Sequence, residues 1–186
     1  MKIGVAGSVG LDHLMTFPGK FTDSLVAGSL EKVSLSFLVD GLDVRRGGCG
    51  ANISFGMAAL GLNPVLIASV GSDWTDYEAW LARHGVDTSH VLVSEKLHTA
   101  TFMVTTDTEL NQIASFFPGA MSEARNIELA PIIAKTGAFD FLICASIMPI
   151  HGSEPKQCPS FGCKSLSRGI PASDRSNTSV TFFGKN

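Results

Sequence analysis

The sequence predicts an α/β fold, with a mainly parallel sheet flanked by helices and a small β lid. Short apolar runs that end in glycine or a small residue are typical of buried strands, and they occur at 2–8, 64–70 and 139–145. Helical patterns lie between these runs, and strands that alternate with helices favour a parallel sheet covered on both faces. Extended segments that do not fit this alternation indicate a second, smaller sheet.

Three helices are predicted between the strands. The first covers 51–60 and ends before a glycine, which can supply the left-handed residue that closes a helix. The second covers 72–83, and Ser72 or Asp73 can cap its first turn. The third covers 127–135. This order agrees with the repeated strand–helix units of a parallel sheet.

The lid strands are expected near 11–40 and 101–117. In the first region, apolar residues of 30–39 alternate with serine, as in a strand with one buried face. In the second region, 101–105 and 113–117 flank a polar turn, and we predict that they form a hairpin.

Composition excludes several classes of protein. With 186 residues, 45% apolar and 17% charged, the chain can bury the core of one domain or part of a larger one, and it is not wholly disordered. No apolar run reaches the roughly 18–20 residues of a membrane span, and the N-terminal apolar stretch is too short for a signal peptide. A net charge of −3 gives no reason to expect nucleic acid or an anionic membrane as a partner. Four cysteines without an export signal predict reduced thiols in the cytoplasm.

The composition and the periodicity of the sequence change near residue 147. Residues 1–146 have the pattern of folded α/β structure, whereas 147–186 is rich in serine, proline and glycine and shows no sustained strand or helix period. We therefore expect a partial domain over 1–146 and an irregular tail that contributes no site. A frameshifted or decayed coding sequence would produce such a tail, and a divergent natural terminus is the alternative.

A glycine cluster precedes the first predicted helix, where residues 47–52 read GGCGAN. Consecutive glycines let backbone N–H groups approach a ligand, and the helix N-terminus behind them presents further N–H groups to an acceptor oxygen. A tight turn without a ligand is an equally good interpretation from local sequence alone. The preceding Arg45 and Arg46 are interpreted as solvated charges.

The glycine cluster also carries a family resemblance. The run 47–54 (GGCGANIS), followed by Gly61 and Gly71, resembles the N-terminal signature of the ribokinase (PfkB) family of carbohydrate kinases. Over 1–146 the chain is similar to the actinobacterial adenosine kinases of that family. The segments that carry this similarity are 7–8, 12–15, 17–19, 33–40, 98–100 and 116–125. The resemblance implies the N-terminal half of a ribokinase-like fold, in an ATP-dependent kinase that phosphorylates the 5′-hydroxyl of adenosine.

The same resemblance implies eight substrate-binding residues. They are Ser8, Asp12, Ser36, Gly47, Gly48, Asn52, Phe102 and Phe116. Asp12 is expected to accept hydrogen bonds from the ribose diol, because an ionised carboxylate can accept from two neighbouring hydroxyls. The alternative is an aspartate that ends a strand. Asn52 offers the diol both a donor and an acceptor, and its alternative is a helix cap.

Two phenylalanines are expected around the adenine. Phe102 and Phe116 can stack on a purine, and their alternative is the hydrophobic core. Their places on the two arms of one predicted hairpin favour the lid. Ser8 and Ser36 match positions that face the nucleoside, and each can equally be a satisfied hydroxyl within a strand.

The sequence departs from the family in its second half. Relatives run to well over 300 residues, and their catalytic aspartate, in an Asp-Thr-x-Gly-Ala-Gly-Asp motif, and most of their ATP site lie in that half. The nearest imitation here, 136–140 (TGAFD), is rejected because Phe139 replaces a glycine and leads into a strand rather than a helix. We assign no catalytic residue and expect this chain to be inactive. ATP and Mg²⁺ are implied for the full-length family, but we do not expect this chain alone to bind them.

Specific residues decide which alternative functions stay open and which are rejected. A kinase for another sugar such as ribose stays open, although a plain sugar offers no base for an aromatic ring. A non-catalytic remnant that binds nucleoside, or that forms a homodimer through the lid strands, also stays open. A dinucleotide-binding oxidoreductase is rejected because 7–10 lacks the Gly-x-Gly-x-x-Gly spacing. No metal site is predicted, since His151, Cys158 and Cys163 match no common zinc spacing.

Overall fold

The computed structural model describes residues 1–24, 35–145 and 181–184, which form ten strands and three α-helices. The strands are β1 (Ile3–Ala6), β2 (Gly10–Thr16), β3 (Gly41–Gly47), β4 (Val65–Ile67), β5 (Ser69–Gly71), β6 (Leu92–Ser94), β7 (Ala100–Thr106), β8 (Gln112–Phe117), β9 (Phe141–Cys144) and β10 (Thr181–Gly184). The helices are α1 (Cys49–Ala59), α2 (Thr75–Arg83) and α3 (Leu129–Thr136). Within these ranges, no helix has the length and apolar character needed to cross a membrane.

The central sheet has the strand order β10–β9–β1–β4, and β1 pairs in parallel with both β4 and β9. Ile53 and Met57 of α1 pack beside Val5 on one face. Ile132 of α3 packs against Leu142 on the other face. The predicted parallel sheet, covered by helices on both faces, is therefore confirmed.

One strand of this sheet lies in the region expected to be irregular. β10 pairs antiparallel with β9, with Thr181 opposite Cys144 and Gly184 opposite Phe141. Threonine and phenylalanine have high strand propensity, which agrees with this short pairing. The rest of 147–186 lies outside the described residues.

The predicted second sheet is present and has four strands in the order β3–β2–β7–β8. β7 and β8 form the predicted hairpin, with antiparallel pairing from Thr101–Phe117 to Thr106–Gln112. The strand predicted at 30–39 is wrong over its described part, because 35–39 has no regular structure. Within this segment, the ring of Phe37 packs against the ring of Phe17, and the two ring centroids are 4.9 Å apart. The strand that pairs with β2 on the side away from β7 is β3, which begins at Gly41.

The apolar run predicted as one strand at 64–70 forms two strands in different sheets. The Ile67 carbonyl accepts a hydrogen bond from the Gly7 N–H of the central sheet, at 3.1 Å. The carbonyl of the next residue, Ala68, accepts from the Leu92 N–H instead, at 2.8 Å. The chain therefore changes partner at this point, and β5 pairs in parallel with β6.

Helix α2 begins later than predicted, because Ser72–Trp74 form a 3₁₀ turn and no side chain caps either segment. Asp73 accepts hydrogen bonds from the backbone N–H and the hydroxyl of Thr99, at 2.9 and 2.7 Å. Burial alone would raise the pKa of Asp73, but these hydrogen bonds lower it below its ordinary value. Asp73 therefore joins the end of β5 to the start of β7 instead of capping a helix.

Candidate functional site

A row of four side chains crosses the second sheet. Asp12 of β2 lies opposite Arg45 of β3 and opposite Phe102 of β7, and Phe102 lies opposite Phe116 of β8. Opposite residues in neighbouring strands share a face, and strands about 4.8 Å apart make this row about 14 Å long. Three of the predicted binding residues therefore stand side by side, with an arginine at the end of the row.

The Asp12 carboxylate is partly buried, and no group in the described ranges donates a hydrogen bond to it. Burial raises the pKa of Asp12 above its ordinary value, and the neighbouring His13 partly offsets this increase. A carboxylate that is partly removed from water, with no donor among the described residues, has unused capacity to accept hydrogen bonds. Asp12 is the third of the seven residues of β2, so the alternative of a strand-ending aspartate is wrong.

The carboxylate rests on the glycine turn between β3 and α1. A Cβ atom at Gly47 would lie 2.5 Å from Oδ2 of Asp12. Gly48 has a φ of +95°, and a Cβ there would lie 2.6 Å from both the Ser8 carbonyl oxygen and the Val9 Cα. These close approaches require glycine, because any side chain would displace the carboxylate or the β1–β2 connection.

Ser8 fixes the start of α1 against that connection. Its hydroxyl oxygen accepts a hydrogen bond from the Cys49 N–H at 2.9 Å, and its carbonyl accepts from the Ala51 N–H at 3.2 Å. Because the helix begins at Cys49 with Gly48 as its N-cap, Asn52 is the fourth helical residue and its side chain is exposed. The alternative that Asn52 caps the helix is therefore wrong.

Ser36 is the predicted binding residue that lies neither in this row nor at the glycine turn. It is exposed within the irregular segment 35–39. The segment rejoins the sheet where the Asp40 N–H donates to the Thr16 carbonyl, at 3.0 Å. Thr16 is the last residue of β2, at the opposite end of that strand from the glycine turn.

Both arginines before the glycines are exposed, which agrees with their interpretation as solvated charges, and each also makes a contact that the sequence did not indicate. The Arg46 guanidinium carbon lies 5.1 Å from the Trp80 ring centroid and 5.9 Å from that of Tyr77, within the range of cation–π attraction. Arg45 forms an exposed ion pair with Asp43 at 2.6 Å. The alternation of Leu42 and Val44 with charged residues at 41–47 could have indicated this strand, but only the strand register places Arg45 beside Asp12.

Sequence reasoning also missed Tyr77, which lies directly beneath the glycine turn. Its hydroxyl donates a hydrogen bond to the Gly47 carbonyl at 3.0 Å, and the residue is buried. Tyr77 is the single tyrosine of the chain, on a helix whose apolar face is buried. A buried tyrosine needs a partner for its hydroxyl, and this requirement is the signal that points to a nearby polar site.

The row can recognise a ligand with two chemically different parts. The Asp12 carboxylate suits neighbouring hydroxyl donors, and the two phenylalanine rings suit a planar ring beside them. No group of three or more histidine, cysteine or acidic residues in the described ranges is placed to hold a metal ion. Cys158, Cys163 and His151 lie outside those ranges.

The profile of the pfkB family carbohydrate kinases matches residues 9–167, which is more than half of the sequence. The chain belongs to this family. The match continues past residue 146, where the resemblance was expected to end. Members of the family are kinases, so the expected enzyme class is confirmed at the level of the family.

Several similar proteins, both curated proteins and solved structures, are named nucleoside kinases, which is a narrower class than the family. A nucleoside kinase of Methanothermobacter thermautotrophicus is 32% identical over 85 residues, which cover 45% of this chain and 28% of the relative. Nucleoside kinase from Burkholderia thailandensis in complex with inosine is 30% identical, with a TM-score of 0.55 over 68% of this chain and 39% of that one. A ribokinase-family nucleoside kinase from Methanocaldococcus jannaschii is 26% identical, with a TM-score of 0.57 over 67% of this chain and 39% of that one. The ribokinase-like fold is therefore confirmed, and the chain spans less than half the length of these relatives.

Proposed function

We propose that the described part of this chain is the acceptor-binding half of a nucleoside kinase, with adenosine as its preferred acceptor. ATP, bound with Mg²⁺, would be the phosphoryl donor in the complete family arrangement. The observation that carries this proposal is the single row formed by Asp12, Phe102 and Phe116. The relative solved with inosine supports a purine nucleoside as the ligand class.

Each residue of the site then has a distinct role. Asp12 accepts hydrogen bonds from the ribose diol, and Phe102 and Phe116 stack on the purine. Gly48 allows close approach of the backbone, and Asn52 offers a donor and an acceptor near the start of α1. Gly47, Ser8 and Ser36 are assigned to the binding site by their resemblance to family positions. Gly47 and Ser8 also shape the turn on which the acceptor rests.

The exposure of one ring favours a nucleoside over a plain sugar. Phe116 is 41% exposed, although it stands beside Phe102 on the same face. A large apolar side chain in the hydrophobic core would be covered, so the core alternative does not explain Phe116. A purine base would cover both rings, whereas ribose would leave them in water.

Binding without turnover is the expected behaviour of the purified chain. In calorimetric titrations, adenosine and inosine should bind more tightly than ribose, because base stacking contributes about 1–3 kcal/mol. ATP-dependent phosphorylation of adenosine should stay at background, since a general base (~10²–10⁴-fold) and an anion hole (~10²–10³-fold) are assigned to no residue. Equal affinities for adenosine and ribose would favour a sugar kinase, and measurable turnover would require a base within these residues.

We also propose that a second copy of this chain covers the face of the lid opposite Asp12. Five apolar side chains on that face are between 38% and 61% exposed, namely Leu42, Val44, Met103, Ile113 and Phe117. β3 and β8 are the edge strands of the sheet, and such edges offer unpaired backbone groups to another strand. Sedimentation should show a dimer, and Ile113→Lys should shift it to monomer by burying an unpaired charge. A monomeric parent chain at all concentrations would contradict this proposal.

A further inference from the structure

A hydrogen bond outside the acceptor row joins helix α2 to the glycine turn. The Tyr77 hydroxyl donates to the Gly47 carbonyl at 3.0 Å, and Tyr77 is only 3% exposed. Its ring centroid lies 6.1 Å from that of Trp80, and the Arg46 guanidinium covers it at 5.9 Å. The phenol is therefore held by packing on its helix and reaches the turn with its hydroxyl alone.

This bond fixes the orientation of one peptide unit. The Gly47–Gly48 peptide is trans, as are all described peptide bonds, so its carbonyl and its N–H point in opposite directions. While Tyr77 holds the Gly47 carbonyl toward α2, the Gly48 N–H must point away from α2. Gly47 ends β3, where it pairs with Gly10, and two consecutive glycines have wide backbone freedom, so the hydrogen bond from Tyr77 further restricts how the peptide between them can turn.

The Asp12 carboxylate packs over the Cα of Gly47, the residue whose carbonyl Tyr77 holds. A Cβ at Gly47 would lie 2.5 Å from Oδ2 of Asp12, so a displacement of Gly47 moves the surface against which the carboxylate packs. The Asp12 charge also acts on the Tyr77 phenol. Burial raises the pKa of Tyr77 to about 12, the Asp12 charge adds to this increase, and Arg46 opposes it. The phenol therefore keeps its proton at neutral pH and stays a hydrogen-bond donor.

We infer that Tyr77 is a positioning residue for the acceptor, because it holds the glycine turn on which the Asp12 carboxylate meets the ribose hydroxyls. This inference rests on the proposed function. Tyr77 acts through the Gly47 carbonyl and lies on the opposite side of the turn from the Gly48 N–H. Its loss should weaken recognition of the diol and leave the stacking of the base intact.

The test compares adenosine with 2′,3′-dideoxyadenosine, which keeps the base and lacks the diol. In the parent chain, adenosine should bind about 10- to 150-fold more tightly, as expected for hydrogen bonds to a charged group. Tyr77→Phe should reduce this ratio by about fivefold or more, while the affinity for the dideoxy analogue changes less than about twofold. Calorimetric titration of both ligands gives the affinity for the dideoxy analogue and the ratio of the two affinities.

Ser54→Ala is the matched control. Ser54 is fully buried in α1, and its hydroxyl donates to the Gly50 carbonyl at 2.8 Å, so the variant also removes a hydroxyl bond to a glycine carbonyl. It should lower the unfolding midpoint about as much as Tyr77→Phe does, and the ratio between the two ligands should stay at the parent value. An equal fall of the ratio in both variants would mean that Tyr77 has only a structural role.

A second variant keeps the inference testable if Tyr77→Phe does not fold. Tyr77 is the single tyrosine of the 186 residues, so growth on 3-fluorotyrosine changes this position alone. The fluorinated phenol keeps the ring and the hydrogen bond but loses its proton at lower pH. The ratio should equal that of the parent at neutral pH and should fall at a lower alkaline pH than in the parent. The charged groups that act on this phenol, Arg46 and Asp12, are the same in both chains.

The outcomes separate the two claims. If the parent shows the diol preference and Tyr77→Phe retains it, or if the fluorinated chain keeps that preference after its phenol has lost its proton, as followed by absorbance, the role of Tyr77 is overturned and the proposed function stands. If the parent binds neither nucleoside, the proposed function fails, and the role of Tyr77 fails with it.

Discussion

Asp12→Asn should weaken adenosine and ribose alike, by about 5- to 12-fold for each hydrogen bond that the carboxylate accepts, without lowering the stability of the chain. The asparagine keeps the shape of the side chain but removes its charge. A charge-assisted hydrogen bond, worth about 1.5–3 kcal/mol, therefore becomes an ordinary one. Both ligands carry the diol, so both should lose affinity by a similar factor.

The stability of this variant should be unchanged or higher at neutral pH. Burial raises the pKa of Asp12, so the folded chain holds the proton of this carboxyl more strongly than the unfolded chain does. The stability that comes from the protonated form is fully present below the unfolded pKa and is lost as the pH rises through the raised folded value. At neutral pH the charge therefore opposes folding, and its removal relieves that cost. A charge that opposes folding, with no hydrogen-bond donor among the described residues, is typical of a residue kept for binding.

Calorimetric titration and thermal unfolding of the same samples check both halves of this prediction. Asp40→Asn is the control, since Asp40 is an exposed carboxylate directly before β3. It should leave both affinities and the unfolding midpoint unchanged. If Asp12→Asn binds adenosine as well as the parent chain does, the acceptor site is elsewhere. A lower midpoint for Asp12→Asn would instead identify the carboxylate as a structural group.

The parts of the fold that follow local rules could be predicted from sequence. Helix α1 is bounded by the glycine cluster and by Gly61, whose φ is +83°. β1 and β9 are apolar runs long enough to be buried on both faces, and they pair in parallel as expected. The hairpin of β7 and β8 was indicated by the polar turn between its two strands.

The parts that were missed depend on contacts between distant segments. The run from Val65 to Gly71 is buried throughout, so no pattern within it indicates that it leaves one sheet for another. The region 30–39 and the strand β3 both show alternation of apolar and polar residues. Local alternation does not distinguish the two segments: β3 pairs with β2, whereas Phe37 of the other segment packs against Phe17, which is twenty residues earlier in the chain.

At the candidate site, too, some features could be predicted from the sequence and others depend on contacts between distant segments. Family resemblance could name Asp12, Phe102 and Phe116, but only strand register places them in one row. A shift of two residues would preserve every inward and outward side chain, so alternation alone does not determine the register. Tyr77 could not be placed at all, because its partner is a backbone carbonyl thirty residues earlier in the chain.

Phe102→Ala should weaken adenosine by about 5- to 150-fold and leave ribose within about twofold. Loss of a ring that stacks on a base removes about 1–3 kcal/mol, and ribose has no base to lose. Phe116→Ala should have the same selective effect, because Phe116 lies directly opposite Phe102. These variants therefore differ from Asp12→Asn, which should weaken both ligands.

Phe117→Ala is the matched control for this pair of variants. Phe117 is 43% exposed and Phe116 is 41% exposed, yet consecutive residues of β8 point to opposite faces of the sheet. Calorimetric titration of adenosine and ribose into all three variants measures the effect, at a temperature well below each unfolding midpoint. If Phe116→Ala and Phe117→Ala change adenosine affinity equally, the face of the sheet does not matter, and the rings do not stack on the base. If Phe102→Ala weakens ribose as much as adenosine, the ring supports the Asp12 strand instead of the purine, and a sugar becomes the better acceptor.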